Sequence, residues 1–336
     1  MGYGSIAGRV VPAVRSAGQV WTAVAGRDPL RARGFSETHA IARVHASCEA
    51  LFEDPDVDVV YIATPHTSHA ALSCAALRAG KGVLCEKPFA VTPSEAREVL
   101  EAAREAGRFF VEGWMYRFHP LTAAVCAQVA EGRLGEVTRI EVSFGAARSP
   151  DAYPRLYDPL LGGGALLDLG GYPLSYALLL AKTVLGEDRT PSDFRGEGLW
   201  LETGVDTYVR GTLGFGPSLQ ADIACSIDRD LPNSLRIVGS EGTLWVPNPW
   251  TQQQRPSFGE LHYRRGGAAV AANAAWELER WGEQVDPYTA QALSVAKHFD
   301  SGFCPEMTHG ASLELALQLA AWRQASVVGS GLIPSR

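Results

Sequence analysis

Residues with the types and spacing to do chemistry fall in two stretches of the chain. In Gly82 to Phe89 (GVLCEKPF), the apolar run Val83, Leu84 and Cys85 delivers Glu86 and Lys87 to its carboxyl end, and Pro88 stops the strand by removing a backbone donor. Open parallel sheets bind ligands outside the carboxyl ends of their strands, so a lysine held there by a following proline is placed to face a cofactor. A solvated Lys-Pro turn is the plain alternative. In Gly162 to Tyr172 (GGGALLDLGGY), the glycines permit close approach of the backbone to a ligand, and Asp168 and Tyr172 share a face if the segment is helical. Here the plain reading is Asp168 as a helix cap and Tyr172 as a core aromatic.

The elements that must position these residues begin with a glycine loop. Gly2, Gly4 and Ala7 form a GxGxxA fingerprint that opens into a helical pattern, where glycines let a backbone approach a pyrophosphate lying on a helix N-terminus. Val20 to Ala25 reads as a buried strand, and Gly26 and Arg27 at its end select the cofactor. A carboxylate there would hold the ribose hydroxyls of NAD, whereas a small residue followed by arginine accommodates the extra phosphate of NADP. A surface arginine at a helix start is the alternative for Arg27. The β-branched run Val57 to Ala63 then carries Thr64, Pro65 and His66 at its carboxyl end. Helix Ser68 to Ala79, strand Lys81 to Glu86, helix Thr92 to Gly107 and strand Arg108 to Gly113 complete a βα alternation, which predicts a doubly wound Rossmann sheet over 1–119. Thr92, Pro93 and Glu95 supply a capping box with proline at the first helical position.

From about Pro120 the pattern changes to alternating strands at Val137 to Ala147, Thr207 to Leu213, Leu219 to Ser226, Leu235 to Gly239 and Thr243 to Val246. Hairpin signals such as Gly239 to Gly242 predict a large, mostly antiparallel open sheet in an α+β domain over 120–336. Helices are expected at Leu121 to Glu131, Tyr288 to Ser301 and Ala311 to Val328. Pro249 to Gly267, rich in Gln, Arg and Gly, reads as a mobile loop. Few helices follow many strands, so one sheet face is expected to lack a cover.

The 336 residues accommodate two domains of ordinary size, and 46% hydrophobic residues support a sizeable core. A net charge of -7 without Lys/Arg runs argues against nucleic acid or an anionic membrane as the main partner and for a small-molecule site. The six cysteines show no CxxC pair and no histidine at ligand spacing, so they read as reduced core residues and no metal is expected. The chain shows no obvious apolar run of membrane-spanning length and no signal segment, and a cytoplasmic location is expected.

TPHTSH (Thr64 to His69), CEKP (Cys85 to Pro88), EGWMYRFHP (Glu112 to Pro120) and GGGALLDLGGY occur in the order seen in the glucose-fructose oxidoreductase, inositol dehydrogenase and MocA family, which the chain resembles over nearly its whole length. ETGVD (Glu202 to Asp206) and VPNPW (Val246 to Trp250) look like the branch holding dimeric dihydrodiol dehydrogenases and NADP-dependent xylose dehydrogenases. The resemblance implies a catalytic pair of Lys87 and Tyr172 with Asp168 beside them. It implies cofactor contacts from Gly2, Gly4, Ser5, Ile6, Arg27, Thr64, Pro65, His69, Glu86, Lys87, Trp114 and Arg117, and a homodimer or higher homo-oligomer through the uncovered sheet face. Oxidising an alcohol needs a base for the hydroxyl proton, and a tyrosine with a pKa near ~10 needs a neighbouring ammonium to reach its phenolate at neutral pH. Asp168 would orient the pair or bind a substrate hydroxyl. The expected activity is NADP-dependent, with NAD the lesser alternative, on a sugar, polyol or cyclic diol. A catalytically silent cofactor-binding sensor or regulator of the same fold is the alternative. One departure concerns the first strand: the family has a complete strand before the glycine loop, where this chain has only Met1. We expect about five to eight mostly apolar residues ahead of Met1, and weak NADPH binding without them.

Overall fold

The fold comes from a computed structural model of the chain, which describes residues 1–186, 189–250, 259–266, 275–281, 285–328 and 331–333. Two compact units emerge, Met1–Phe118 with Asp286–Ala316, and His119–Val285 with Leu317–Arg336. The expected division at 119/120 did not anticipate the return of Asp286–Ala316 to the first unit. Its cause is packing between residues distant in sequence: Phe299 meets Phe109 and lies where a Cβ on Gly82 would stand 2.7 Å from its ring, and Arg117 Nε donates to the Glu306 carbonyl at 3.1 Å.

In the first unit, α1 (Ser5–Ser16), β1 (Ala23–Val24), α2 (Pro29–His39), β2 (Arg43–Val44), α3 (Cys48–Phe52), β3 (Val59–Ile62), α4 (His69–Arg78), β4 (Gly82–Glu86), α5 (Pro93–Ala106) and β5 (Phe110–Gly113) follow in order. All strand pairs are parallel, but they form two sheets, β1-β2 and β3-β4-β5. Met1 and Gly2 join them at one end: Gly2 N donates to the Ala25 carbonyl at 3.2 Å, and Ala63 N donates to the Met1 carbonyl at 2.9 Å. The strand expected over Val20 to Ala25 is cut to Ala23–Val24, the two residues that pair with Arg43 and Val44 of β2. Val60, Ile62, Val83, Cys85, Val99 and Phe110 form the core, and Thr92 caps α5 through the predicted capping box.

The second unit begins with α6 (Pro120–Ala130) and β6 (Val137–Gly145). A π-helical turn at Leu166–Gly170 leads into α7 (Gly171–Leu185), and β7 (Asp193–Leu201), β8 (Asp206–Phe215), β9 (Leu219–Ser226), β10 (Ser234–Gly239), β11 (Gly242–Pro247), β12 (Gly259–Arg265) and β13 (Glu277–Trp281) follow. The chain then supplies α8 (Pro287–His298) to the first unit, and α9 (His309–Val328), divided between the units after Ala316, precedes β14 (Gly331–Ile333). The sheet order is β13-β12-β11-β10-β6-β9-β8-β7-β14, antiparallel except for the parallel pairs β6/β9 and β7/β14. Along β6, Ile140 and Val142 are buried on the face that α7 covers, while Arg139 and Glu141 alternate onto the other.

Three expectations change. The predicted loop over Pro249 to Gly267 contains β12, whose Leu261 and Tyr263 are buried in alternation; polar neighbours hid that period from the sequence, and 251–258 and 267 lie outside the described residues. Strand β7 escaped notice because Gly196 and Gly198 interrupt its apolar pattern, yet a Cβ on Gly196 would stand 2.6 Å from the Ser326 hydroxyl, so the glycine admits α9. Finally, the helical stretch Pro159–Leu185 is apolar and long enough by composition to span a membrane, but 89% of its most apolar window is buried inside the protein, as befits a core helix.

Candidate cofactor and active-site residues

In the first unit, the register Ile62↔Cys85 and Glu86↔Gly113 aligns the carboxyl ends of β3, β4 and β5. Thr64, Lys87 and Trp114 therefore leave the sheet at one edge. Gly2 borders the same edge: its φ is +87°, and a Cβ on it would lie 2.5 Å from the Ala63 carbonyl oxygen, so only glycine permits this approach. Helix α1 starts immediately after Gly4 with no side-chain cap and no acidic residue in its first turn, which leaves the amides of Ser5 and Ile6 for an anion. A Cβ on Gly4 would meet nothing within 4 Å, so the ground beside those amides is open.

The cofactor-selecting corner contains a residue that the motif alone did not reveal. The Tyr3 hydroxyl accepts from Asp28 N at 2.9 Å, and its ring lies where a Cβ on Gly26 would approach within 2.2 Å. A carboxylate at position 26 is thereby excluded unless Tyr3 moves. Arg27 is exposed beside this corner, and the Arg31 guanidinium lies 5.0 Å from the centroid of the Tyr3 ring. Asp28 is the N-cap of α2, accepting from Leu30 N and Arg31 N, so its charge is directed into the helix end. Together the glycine loop, the uncapped α1 and the arginine-rich corner fit a dinucleotide with a phosphorylated ribose.

Other predicted residues hold the site rather than face it. His69 is buried, with Nδ1 2.8 Å from the Pro88 carbonyl and Nε2 2.8 Å from the Thr64 carbonyl, and so ties the exit of β3 to the Lys87-Pro88 turn. That turn contains a cis peptide bond. Glu86 turns inward and accepts from the Tyr61 hydroxyl at 2.7 Å, and burial raises its pKa despite that bond and Lys87. Thr64 Oγ1 accepts from the Ser68 hydroxyl at 2.7 Å, while Pro65 accepts from the same hydroxyl through its carbonyl. Trp114 is fully buried beside Glu112, and Arg117 lies near the same carboxyl. Glu112 accepts from Phe89 N at 3.2 Å, directly after the lysine turn, and burial pushes its pKa up to about 7.

In the second unit the segment bearing Asp168 and Tyr172 is helical as supposed, but the two side chains have separate surroundings. Asp168 is buried between two arginines, Arg148 Nη1 and Arg155 Nη2, each 2.9 Å from a carboxylate oxygen. Its charge is thus neutralised by groups that no spacing in the sequence announced. Tyr172 stands edge-on to Phe144 and Trp250, with ring centroids at 5.1 and 5.5 Å, which places the VPNPW tryptophan against it. Asp206 of ETGVD accepts from Leu166 N at 2.6 Å and fills the space beside Gly164, where a Cβ would lie 2.4 Å from its oxygen and φ is +115°. Asp206 therefore shapes the entry to the Asp168 turn.

A parallel βα unit with an open glycine-loop helix and a lysine at the carboxyl edge defines a dinucleotide-binding oxidoreductase. Comparison with known proteins makes this specific. Residues 1–113 match the model described as oxidoreductase family, NAD-binding Rossmann fold, and residues 122–245 match the GFO/IDH/MocA C-terminal domain. The trans-1,2-dihydrobenzene-1,2-diol dehydrogenase of Homo sapiens is 34% identical over 287 residues, covering 81% of this chain and 84% of that one. The Danio rerio enzyme of the same name is 37% identical over 67% of this chain and 65% of its own. A 3-ketoreductase from Actinomadura kijaniata, solved with NADP and TDP-benzene, shares 27% identity with a TM-score of 0.83 over 100% of this chain and 98% of that one. An aldose-aldose oxidoreductase from Caulobacter crescentus shares the fold, with a TM-score of 0.85 at 23% identity over 98% and 96% of the two chains. The chain belongs to the Gfo/Idh/MocA oxidoreductase family.

Proposed function

We propose that the protein is an NADP-dependent dehydrogenase of a sugar, polyol or cyclic diol, of the dihydrodiol or xylose dehydrogenase type. The observation that carries the cofactor choice is the Tyr3 ring against Gly26, which keeps a carboxylate from the ribose corner and leaves Arg27 and Arg31 for a phosphate. The relatives named as diol dehydrogenases and the NADP-bound ketoreductase support the same reading.

When bound, the nicotinamide accepts or donates the hydride. Gly2, Gly4 and the first amides of α1 would hold its pyrophosphate, and Lys87 leaves β4 at the same edge of the sheet. As the family resemblance implies, Tyr172 would take the hydroxyl proton on oxidation and return it to the carbonyl oxygen on reduction, with the Lys87 ammonium favouring the phenolate. Asp168, already paired with Arg148 and Arg155, acts by fixing the turn that carries Tyr172. We further infer a homodimer through the outer sheet face, which presents both charge signs in Arg139, Glu141, Asp222 and Arg236. Cytoplasmic residence belongs to this reading and is supported by six free thiols.

The deciding experiment is turnover with NADP and NADPH over a panel of trans-dihydrodiols, aldopentoses, polyols and their carbonyl forms. At least one member should be turned over by the protein and lost in Tyr172→Phe. Tight NADPH binding with no turnover across the panel would refute the enzyme and favour a cofactor-binding sensor.

A further inference from the structure

The ETGVD motif, Glu202 to Asp206, delivers a fully buried carboxylate to the turn that carries Asp168 and leads to Tyr172. Its local structure is a tight reversal between β7 and β8. Leu201 N donates to the Val205 carbonyl at 2.8 Å, Gly204 N donates to the Leu201 carbonyl at 2.9 Å, and Gly204 takes a φ of +81° that favours glycine. Asp206 opens β8 opposite Trp200 of β7, so its backbone is fixed by the sheet. Arg323 Nη1 stands 3.8 Å from one of its carboxylate oxygens, and the same guanidinium lies 5.0 Å from the centroid of the Trp200 ring. We propose that Asp206 is a positioning residue for Tyr172: it holds the amino end of the π turn Leu166–Gly170, and that turn sets the direction in which α7 presents the tyrosine ring. The proposal rests on the reading of Tyr172 as the group that exchanges a proton with the substrate.

A π turn is rare and persists where its surroundings hold it. Residues four apart stand about 40° apart round an α-helix, and the wider π turn rotates everything that follows it about the axis. That rotation agrees with the separate surroundings of the two side chains, Asp168 between Arg148 and Arg155, and Tyr172 against Phe144 and Trp250. Three contacts hold the widened turn. At its start Asp206 Oδ2 accepts from Leu166 N at 2.6 Å, with the Ala165 amide beside the same carboxylate, and Gly164 leaves the space that the other oxygen fills. In its middle the two arginines bind Asp168. At its end a Cβ on Gly170 would stand 3.2 Å from Cys225 Sγ and 3.3 Å from the Trp322 ring, so the bare backbone lies against β9 and α9. The Asp206 bond alone among these acts on a backbone amide of the turn. Its loss leaves that buried donor unpaired, a cost that a shift of the turn relieves. Tyr172 follows in unbroken helix, so a shift at Leu166 reaches its ring with no flexible joint between.

The test compares two variants of the full chain. Asp206→Asn keeps the size and an acceptor for the Leu166 amide, whereas Asp206→Leu keeps the size and has no acceptor; Asp206→Ala takes its place if Asp206→Leu does not fold. The Tyr172 ring is followed by nuclear magnetic resonance in protein carrying isotope-labelled tyrosine, its signal assigned by its loss in Tyr172→Phe. NADPH affinity is measured by fluorescence titration, and turnover on the substrate that the panel identifies. Asp206→Leu should displace the Tyr172 signal, because the ring moves relative to Phe144 and Trp250. It should also lower kcat about ten- to a hundredfold, the scale of a displacement of about 1 Å, and leave NADPH affinity unchanged. Asp206→Asn should keep the original signal and most of the turnover. An unmoved Tyr172 signal in folded Asp206→Leu would overturn the proposal even if turnover fell, since Asp206 would then serve stability alone. So would an equal displacement in Asp206→Asn, since the charge and not the bond to the turn would then matter. The signal needs neither substrate nor cofactor, so it decides the role of Asp206 by itself. Undiminished turnover in Tyr172→Phe would instead overturn the reading of the tyrosine on which the proposal rests.

Discussion

Glu112→Gln should make the protein more stable at pH 8 while leaving it nearly unchanged at pH 5. The Glu112 carboxyl is fully buried, and burial outweighs the hydrogen bonds and the Arg117 charge that favour its ionised form, raising its pKa from an ordinary 4.5 to about 7. At about 1.4 kcal/mol per pH unit, that displacement corresponds to about 3 kcal/mol. The sign follows from the raised pKa: the stabilising contribution is whole below about pH 4.5 and is lost as pH rises through about 7. Glutamine retains an oxygen for the Phe89 amide and cannot ionise, so the variant escapes this loss. Urea unfolding of both proteins, followed by far-ultraviolet circular dichroism, should give stabilities within about 1 kcal/mol of each other at pH 5. At pH 8 they should diverge by about 2 to 3 kcal/mol in favour of the variant. An equal difference at the two pH values would show that Glu112 is not the buried acid described here, and that the turn after Lys87 is held in some other way.

Arg27→Ala should weaken NADPH by about 1.5 to 3 kcal/mol, the range for a hydrogen bond to a charged group, and leave NADH nearly unchanged in fluorescence titrations. Equal weakening of both would remove Arg27 from the phosphate. Tyr172→Phe should lower turnover by about two to four orders of magnitude with cofactor binding intact, and Lys87→Met should move the remaining activity to higher pH; an unshifted pH profile would count against the electrostatic role of the lysine. Asp168→Ala strips a buried carboxylate from Arg148 and Arg155, which are 28% and 40% exposed, so a loss of about 1 to 3 kcal/mol is expected, and an unchanged melting temperature would contradict it. Light scattering at micromolar concentration should show a dimer that Glu141→Arg and Arg236→Glu each weaken; a strict monomer would mean that the charged face is simply solvated.

Local chemistry was enough to reveal the first unit's alternation, because its strands are continuous apolar runs and its helices carry their own start signals. Thr92 with Glu95 and Asp28 with Pro29 act within one helical turn, so their roles are visible wherever the chain goes. The same holds for Lys87 at the end of β4 and for the glycine loop, whose constraints lie between neighbours in sequence. What the tertiary structure decided depends on residues that meet only after folding. Tyr3 explains Gly26, Arg148 and Arg155 neutralise Asp168, Asp206 requires Gly164, and Ser326 requires Gly196. None of these pairs has a periodic or capping signature, because a contact across tens or hundreds of residues imposes no spacing on the chain. The return of Asp286–Ala316 to the first unit and the strand hidden in Gly259–Arg265 were illegible for the same reason: their partners, not their own patterns, select their conformations.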